Sequence, residues 1–152
     1  MMDIRAMITE NTIEFDADLK TREEVLEHIS EILVKNNRAN NKEVIFNGFL
    51  QREKEGTTGI GLQLAIPHCK EEDILEPTIV YITLKNPIDW DSLDEKPVKV
   101  VIGLAIPKKY EGTLHLEILS ALASNLMEDD FKDKLFKINN KEELINFLYK
   151  NL

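Results

Sequence analysis

His68 is the residue of this chain whose position best suits nucleophilic chemistry. It is one of three histidines, and it follows Pro67 directly at the end of an apolar run. Because proline has no N–H for a strand ladder, we expect a strand to end there and the imidazole to project from the sheet edge, where open sheets place their ligands. A neutral imidazole is available near pH 7 and can accept a phosphoryl group without a separate base. The alternative is a structural histidine with satisfied ring nitrogens.

Other positions offer the positive charge and the hydrogen-bond donors that the three equatorial oxygens of a transferring phosphoryl group require. Arg52 and His115 are the candidates for that task, and the turn Thr57-Thr58-Gly59 offers hydroxyl and backbone donors for phosphate binding. Arg52 also has a simpler explanation as a solvated helix residue, and His115 as a histidine at the edge of the core. The residue pattern leaves both explanations open.

Composition narrows the class of protein. The chain has 152 residues, which fits one domain spanning 1–152, and a formal charge of −9 with dispersed basic residues. That charge argues against nucleic acid as a partner. No apolar run approaches the roughly 20 residues of a membrane-spanning helix, and the first ten residues lack the apolar core of a signal peptide. A single cysteine, Cys69, allows no internal disulfide. We therefore expect a cytoplasmic protein without direct membrane insertion.

The first part of the chain predicts a strand and a helix. Apolar and polar residues alternate over positions 13–15, which indicates a short strand. Thr21 and Glu24 then form a capping box that opens a helix, and Asn36-Asn37 is suited to end it. The apolar positions of this helix repeat with helical spacing, so one face should be buried.

A second helix is predicted to carry Arg52. Asn40 and Glu43 resemble another capping box, and Gly56 is suited to the C-terminal cap. Arg52 then lies in the last turns of this helix. It would sit close in sequence to the turn that precedes the His68 segment.

Strands and helices follow in the second half. Residues 62–66, 78–84 and 98–105 are predicted strands, and Asn86-Pro87 and Lys96-Pro97 are expected to break the chain around them. Residues 112–127 predict a helix with His115, Leu119, Leu122 and Leu126 on one face that turns toward the protein body. Asn140 and Glu143 open a final helix. Helices on either side of a group of strands favour an α/β or α+β fold.

Four motifs carry a resemblance to a known family. They are QRE at 51–53, TGIG at 58–61, AIPH at 65–68 and HLEILSALA at 115–123, supported by KPVKVVIGLAIP at 96–107. Together they resemble the enzyme IIA domain of the fructose/mannitol class of the bacterial phosphoenolpyruvate-dependent sugar phosphotransferase system, over nearly the whole chain. The resemblance implies a mixed β-sheet covered by helices on both faces. It also implies that His68 is the phosphoacceptor and that Arg52 and His115 stabilise the phosphate.

The same resemblance implies partners rather than a sugar site. Members accept phosphate from the phosphocarrier HPr and pass it to a cysteine of an enzyme IIB, which works with a membrane IIC permease. Fructose, mannitol, galactitol or another sugar is chosen by those partners, and no cofactor is expected. A nitrogen-regulatory branch shares the fold and the histidine without transporting sugar, so a regulatory phosphorelay is the alternative. Here Leu62-Gln63-Leu64 stands where members commonly have a glycine.

A metal site is the hypothesis from a different class. His68, His115 and Cys69 are of ligand type, but at least one more ligand would be needed and the paired zinc signatures are absent. We expect no metal. Neighbouring residues of an extended chain point to opposite sides, so a phosphoryl group on His68 should not reach Cys69 in line. The acceptor is then expected on another protein.

Overall fold

The computed structural model describes residues 3–110 and 113–152, apart from the side chain of residue 115. Over these residues a sheet is flanked by helices, with short 3-10 turns at Glu10–Thr12 and Lys108–Tyr110. The helices are α1 (Ile4–Met7), α2 (Arg22–Lys35), α3 (Lys42–Glu55), α4 (Leu114–Leu126), α5 (Asp129–Lys137) and α6 (Lys141–Asn151). The strands are β1 (Ile13–Ala17), β2 (Gly59–Gly61), β3 (Leu64–Ala65), β4 (His68–Glu71), β5 (Thr78–Ile88) and β6 (Val98–Pro107).

Strands β5 and β6 form the centre of a mixed sheet. They pair antiparallel, and β1 lies parallel to β5 on the outer side. The opposite edge of β6 carries two short strands in succession, β3 and then β4, both parallel to it. Strand β2 pairs antiparallel with β3 at the far edge. The His68 segment is therefore held against the central strand of the sheet.

Helices cover both faces of the sheet and create two apolar layers. Helices α2 and α3 pack on one face, and α1, α4, α5 and α6 pack on the other. Because β5 and β6 are buried on both faces, their sequences are nearly continuous apolar runs rather than alternating ones. This arrangement confirms the predicted α/β fold with a mixed sheet and two helical layers. Within the described ranges, no helix is long and apolar enough to cross a membrane.

The predicted helix caps are confirmed at two positions and shifted at a third. Thr21 and Asn140 cap α2 and α6 by accepting the backbone N–H three residues on. Helix α3 begins one residue later than predicted, because Asn41 rather than Asn40 accepts the N–H of Val44, at 3.2 Å. The N–H of Asn40 donates to the carbonyl of Asp73 at 3.0 Å, which ties Asn40 to the loop before β5.

The predicted strand at 62–66 is confirmed only at Leu64–Ala65. Leu62 and Gln63 have φ angles of 58° and 66° and form the turn of the β2–β3 hairpin, so that only Leu64–Ala65 is extended in the sheet. Two consecutive left-handed residues are typical of a type I′ turn, which normally takes Asn-Gly. Since neither residue has that chemistry, the sequence carried no turn signal.

The position of His68 relative to its strand also differs from the prediction. His68 is the first residue of β4, paired with Leu104, rather than a residue beyond the end of a strand. Pro67 interrupts the edge of β6 between β3 and β4, but its carbonyl still accepts the N–H of Leu104 at 2.9 Å. Proline therefore acts as a joint between two collinear strands.

Three further features differ from the predictions: the end of one strand, the buried face of one helix and the number of helices. Strand β5 continues through Asn86-Pro87 to Ile88, with a register shift that accommodates the proline. The buried face of α4 is formed by Leu114, Ile118, Leu122 and Leu126, whereas Leu119 is half-buried. Helices α1 and α5 were not predicted. Helix α1 has only four residues, and only two residues, Met127 and Glu128, separate α5 from α4.

The β2–β3 turn generates a stability prediction. Replacing Gln63 by glycine removes the Cβ that opposes a left-handed φ, and Gln63 is exposed, so little packing is lost. After the entropy of glycine is subtracted, Gln63→Gly should raise the free energy of unfolding by about 0.5 to 1 kcal/mol, measured by urea titration. Gln63→Ala, which keeps the Cβ, is the matched control and should give no gain. Equal stability of the two variants would contradict a strained turn.

Candidate functional site

The last turn of α3 and the start of β4 meet to form the site. Arg52 lies in the last turn of α3, which ends at the C-cap Gly56. His68 begins β4, and α3 packs beside that strand; on α3, Gly48 leaves room for the Glu71 carboxylate, which a Cβ would meet at 2.8 Å. Two of the three residues predicted to act on phosphate are thus brought together from separate elements.

Both ring nitrogens of His68 have defined partners. Nδ1 lies 3.0 Å from the carbonyl oxygen of Ile66, and Nε2 lies 3.0 Å from Nε of Arg52. A carbonyl only accepts and a guanidinium only donates, so Nδ1 carries the proton and Nε2 carries the lone pair. Nε2 is therefore the nitrogen of the half-buried imidazole whose lone pair faces Arg52, a choice that the sequence left open.

Arg52 is anchored at two points. Besides the Nε–H that donates to His68, its Nη1 donates to the carbonyl of Gly56 at 2.8 Å. The guanidinium keeps its positive charge at any physiological pH and has five N–H donors in a fixed fork. An arginine held in this way can turn remaining donors toward an oxyanion beside Nε2.

A cavity of about 520 Å³ opens over the His68–Arg52 pair. Helix α3 lines it with Gly48, Gln51, Arg52 and Glu55, and β4 lines it with all four of its residues, His68–Glu71. Arg52 and Lys70 contribute positive charge and two glutamates contribute negative charge. The cavity is polar and open, which suits a group that must be delivered and removed by another molecule.

The predicted phosphate-binding turn follows Gly56, whose carbonyl binds Arg52, and uses most of its donors in internal hydrogen bonds. The Thr58 N–H donates to Glu53 at 3.0 Å, and the Thr58 hydroxyl donates to the same carboxylate. The Gly59 N–H donates to the Thr57 hydroxyl at 3.1 Å, and that hydroxyl donates to the Trp90 carbonyl at 3.2 Å. Phosphate binding by Thr57, Thr58 and Gly59 remains a prediction, and for the donors of Thr58 and Gly59 it requires these bonds to open.

His115 and Cys69 complete the set of predicted residues. The backbone of His115 is in the first turn of α4, and its side chain lies outside the described residues, so its role stays a prediction. Cys69 is 5% exposed and packs into the core layer beneath α2 and α3. In the part of the chain that the structure describes, no three His, Cys, Asp or Glu residues are grouped to hold a metal ion.

Two backbone carbonyls are site components that sequence reasoning missed. The carbonyl of Ile66 fixes the tautomer of His68, and the carbonyl of Gly56 anchors Arg52. Any residue type supplies a backbone carbonyl, so the residue types alone could not identify these two acceptors. The only indirect signals were that Ile66 precedes Pro67 and that Gly56 is the predicted helix cap.

The fold and the site define a class of single-domain α/β protein in which an imidazole at the sheet edge is hydrogen-bonded to an arginine. The chain belongs to the family described as "Phosphoenolpyruvate-dependent sugar phosphotransferase system, EIIA 2", whose model matches residues 6–151. The resemblance carried by the four sequence motifs is thereby confirmed.

Relatives fall into sugar-specific and regulatory proteins. The chain is 31% identical to the fructose-specific EIIA component of Haloferax volcanii, covering 96% of this chain and 94% of that protein. It is 30% identical to the fructose-specific EIIABC component of Bacillus subtilis over 97% of this chain, but spans only 23% of that protein. It is 36% identical to the nitrogen regulatory protein of Escherichia coli, covering 85% and 78% of the two chains.

Solved structures show the same fold. The nitrogen regulatory protein IIA-Ntr of Neisseria meningitidis superposes with a TM-score of 0.87 at 26% identity, covering 94% of this chain and 97% of that one. The mannitol enzyme IIA of Escherichia coli, solved in complex with phosphorylated enzyme IIB, superposes with a TM-score of 0.78 at 20% identity, covering 94% and 97%. The second likeness concerns the fold alone.

Cys69 generates a prediction about alkaline stability. Burial, with a smaller contribution from the Glu71 carboxylate, raises the pKa of its thiol well above the ordinary range. The unfolded chain ionises this thiol near pH 8.5 while the folded protein keeps it protonated, so the stabilisation is present below about pH 8.5 and is lost as pH rises. The loss should amount to about 1.4 kcal/mol per pH unit.

Urea unfolding between about pH 8 and pH 10 measures this loss against Cys69→Ala, which has no thiol to ionise. We expect a shallower decline of stability with pH in the variant. Tyr81, whose pKa is also raised by burial, contributes equally to both proteins and cancels. Parallel declines would contradict the prediction.

Proposed function

We propose that this chain is a cytoplasmic phosphoryl carrier that accepts phosphate from phospho-HPr on Nε2 of His68 and passes it to a cysteine of an enzyme IIB for coupled sugar uptake. The observation that carries the proposal is the environment of His68. Its lone pair is on Nε2, beside a fixed guanidinium, while Nδ1 is bonded to the Ile66 carbonyl. Family membership and the fructose-specific relatives support the sugar-system role.

The proposed transfer balances at each step. Nε2 attacks the phosphorus of the donor phosphohistidine, and the N–P bond of the donor breaks with its electron pair returning to the donor imidazole. The ring of His68 then carries Nδ1–H and an N–P bond at Nε2, so it is positively charged, and the Ile66 carbonyl stabilises that proton. In the second half-reaction a thiolate attacks the phosphorus, and His68 leaves as neutral imidazole.

Arg52 changes partner during this cycle. Once Nε2 is bonded to phosphorus it can no longer accept the Arg52 Nε–H, so that donor becomes available to a phosphoryl oxygen. The guanidinium therefore neutralises charge where it develops. We propose that His115 supplies a second donor to the phosphoryl oxygens without itself becoming phosphorylated.

Enzyme IIB, and through it a membrane IIC permease, are the proposed downstream partners. The support is the solved complex of the mannitol enzyme IIA with phosphorylated enzyme IIB and the presence of A, B and C parts in one fructose-specific relative. Nothing in the proposed relay requires sugar to bind the IIA domain, so sugar choice belongs to these partners.

A regulatory phosphorelay is the second candidate function. It is favoured by the 36% identity to the nitrogen regulatory protein of Escherichia coli and by the TM-score of 0.87 with IIA-Ntr. In that case phosphorylated His68 would alter binding to a regulator instead of supplying a sugar transporter. Transfer of labelled phosphate to the cysteine of an enzyme IIB encoded beside this chain supports transport, and a stable phosphoprotein that no IIB discharges supports regulation.

The His68 assignment predicts a single phosphorylation site. Incubated with phosphoenolpyruvate, enzyme I and HPr, the protein should gain one phosphoryl mass by intact mass spectrometry at neutral to alkaline pH, since phosphohistidine is acid-labile. His68→Ala should gain none. His28→Ala is the matched control, because His28 on α2 pairs at 2.8 Å with Glu14 of β1, and strands β5 and β6 separate β1 from β4. A phosphoryl mass retained by His68→Ala would remove the assignment.

The Arg52 assignment predicts a kinetic loss. Arg52→Gln should slow phosphorylation of His68 by roughly 10²-fold, the usual effect of removing one transition-state donor, while stability falls far less. Rapid-quench measurement of phosphate transfer and urea unfolding provide the two readouts. Lys54→Gln removes one positive charge from the same helix turn at an exposed position and should transfer phosphate at the wild-type rate. Equal losses in both variants would show that only general charge matters.

A further inference from the structure

A buried hydrogen-bond chain lies directly behind Arg52. Glu53, Thr58 and Trp90 are 8%, 3% and 1% exposed, respectively. Both carboxylate oxygens of Glu53 are used by Thr58, one by its N–H at 3.0 Å and the other by its hydroxyl. The Trp90 indole N–H donates to the same hydroxyl at 3.2 Å. A hydrogen-bond chain from α3 and two loops, the one before β2 and the one after β5, thus runs through the interior with its bonds satisfied.

Burying the hydrogen-bond chain of Glu53, Thr58 and Trp90 costs free energy, which raises the question of what these residues contribute to the protein. A buried carboxylate is unfavourable unless its oxygens accept hydrogen bonds, and here the acceptor requirement is met by one threonine. Thr58 in turn accepts from Trp90, so removing any member leaves a buried polar group without its partner. An apolar trio of similar size would fill the same space without this dependence.

The position of the chain connects it to the site. Glu53 is the residue after Arg52, and Thr58 follows two residues after Gly56, whose carbonyl anchors the Arg52 guanidinium. The Glu53–Thr58 bonds therefore close a loop around the carbonyl that Arg52 uses. Thr57 adds a second tie, since its hydroxyl donates to the Trp90 carbonyl at 3.2 Å.

We propose that Glu53, Thr58 and Trp90 are positioning residues that orient the Arg52 guanidinium toward Nε2 of His68. Helix C-terminal turns leave carbonyls without intrahelical partners and fray easily, and an arginine side chain has many rotamers. The buried chain fixes the segment 52–58, the Gly56 carbonyl keeps its place, and Arg52 keeps one orientation. Insofar as it concerns phosphate transfer, this inference rests on the proposed carrier function.

A positioning role and a phosphate-binding role of Thr58 predict different effects on Arg52 in the unphosphorylated protein. A positioning residue acts on Arg52 before any phosphate arrives. A direct phosphate ligand affects transfer but leaves the Arg52–His68 bond of the free protein unchanged. The NMR signal of the Arg52 Nε–H, which is hydrogen-bonded to His68 Nε2 at 3.0 Å, separates them without any assay of activity.

The experiment compares Thr58→Val, Thr58→Ser and Glu53→Gln with the wild-type chain. We expect the wild type to show a downfield Arg52 Nε–H signal that exchanges slowly with water, and Thr58→Val and Glu53→Gln to lose that protection. Phosphorylation by phospho-HPr should slow by about 10- to 100-fold in the same two variants, the effect of a misplaced charged group. Thr58→Ser keeps the hydroxyl and should rescue both the signal and most of the rate.

Thr12→Val controls for the loss of a buried threonine hydroxyl. Thr12 is fully buried, and its hydroxyl bonds to the N–H and the carbonyl of Thr9, both at 3.1 Å, next to β1. Strands β5 and β6 separate that position from β4. This variant should lose stability, measured by urea unfolding, but keep the Arg52 signal and the transfer rate.

The outcomes separate the hypotheses. Slow transfer in Thr58→Val with an intact Arg52 signal overturns positioning and favours direct phosphate binding. An intact signal and wild-type transfer overturn both roles. If Thr58→Val fails to fold, Glu53→Gln and Thr58→Ser decide between the hypotheses. Loss of the Arg52 signal in Glu53→Gln together with its retention in Thr58→Ser supports positioning. Any other combination of the two signals overturns positioning. If the wild-type chain accepts no phosphate, the proposed function fails while the NMR comparison still supports or overturns the orientation of Arg52.

Discussion

A single hydrogen bond between two structural elements organises the site. Nε of Arg52, at the end of α3, donates to Nε2 of His68, at the start of β4, over 3.0 Å. This bond requires the helix to end, and the strand to begin, at the same place in space. It also requires the proton of the imidazole to sit on the other nitrogen, where the Ile66 carbonyl holds it. The chemistry of the site follows from these two requirements.

The sheet supplies the fixed reference for the histidine. Strand β6 is paired along its whole length, with β5 on one edge and β3 followed by β4 on the other. Pro67 separates the last two strands without leaving β6, because the proline carbonyl can accept a hydrogen bond even though its nitrogen cannot donate one. The imidazole is thus mounted on a strand that pairs directly with the central strand β6. Arg52 has no such support from the sheet and depends on its helix cap.

Family membership and site geometry answer different questions. The match over residues 6–151 establishes an EIIA component of the phosphotransferase system. Sugar-specific and nitrogen-regulatory relatives both align with this chain, so the fold does not distinguish them. The cavity over His68 is open and polar, and it contains both charge signs. A surface of this kind is suited to transient contact with another protein.

The sequence by itself determined the features that depend on local chemistry. The caps at Thr21, Asn140 and Gly56 and the apolar runs of the two central strands depend on residue type and near neighbours, so they were correctly predicted. The motifs around Arg52 and His68 were sufficient to indicate the family. A long, continuous apolar run also indicates that a strand is buried on both faces of its sheet. These signals were sufficient for the fold class.

The tertiary structure alone decided features that depend on distant partners. Leu62 and Gln63 adopt left-handed angles although neither is glycine, because Asp94 accepts the N–H of Leu62 and the Gln63 carbonyl accepts two N–H groups from β6. Which ring nitrogen of His68 carries the proton is likewise decided by a carbonyl and a guanidinium whose directions no residue pattern specifies. Each of these outcomes depends on the angle at which a donor meets an acceptor, and that angle exists only once the elements have packed.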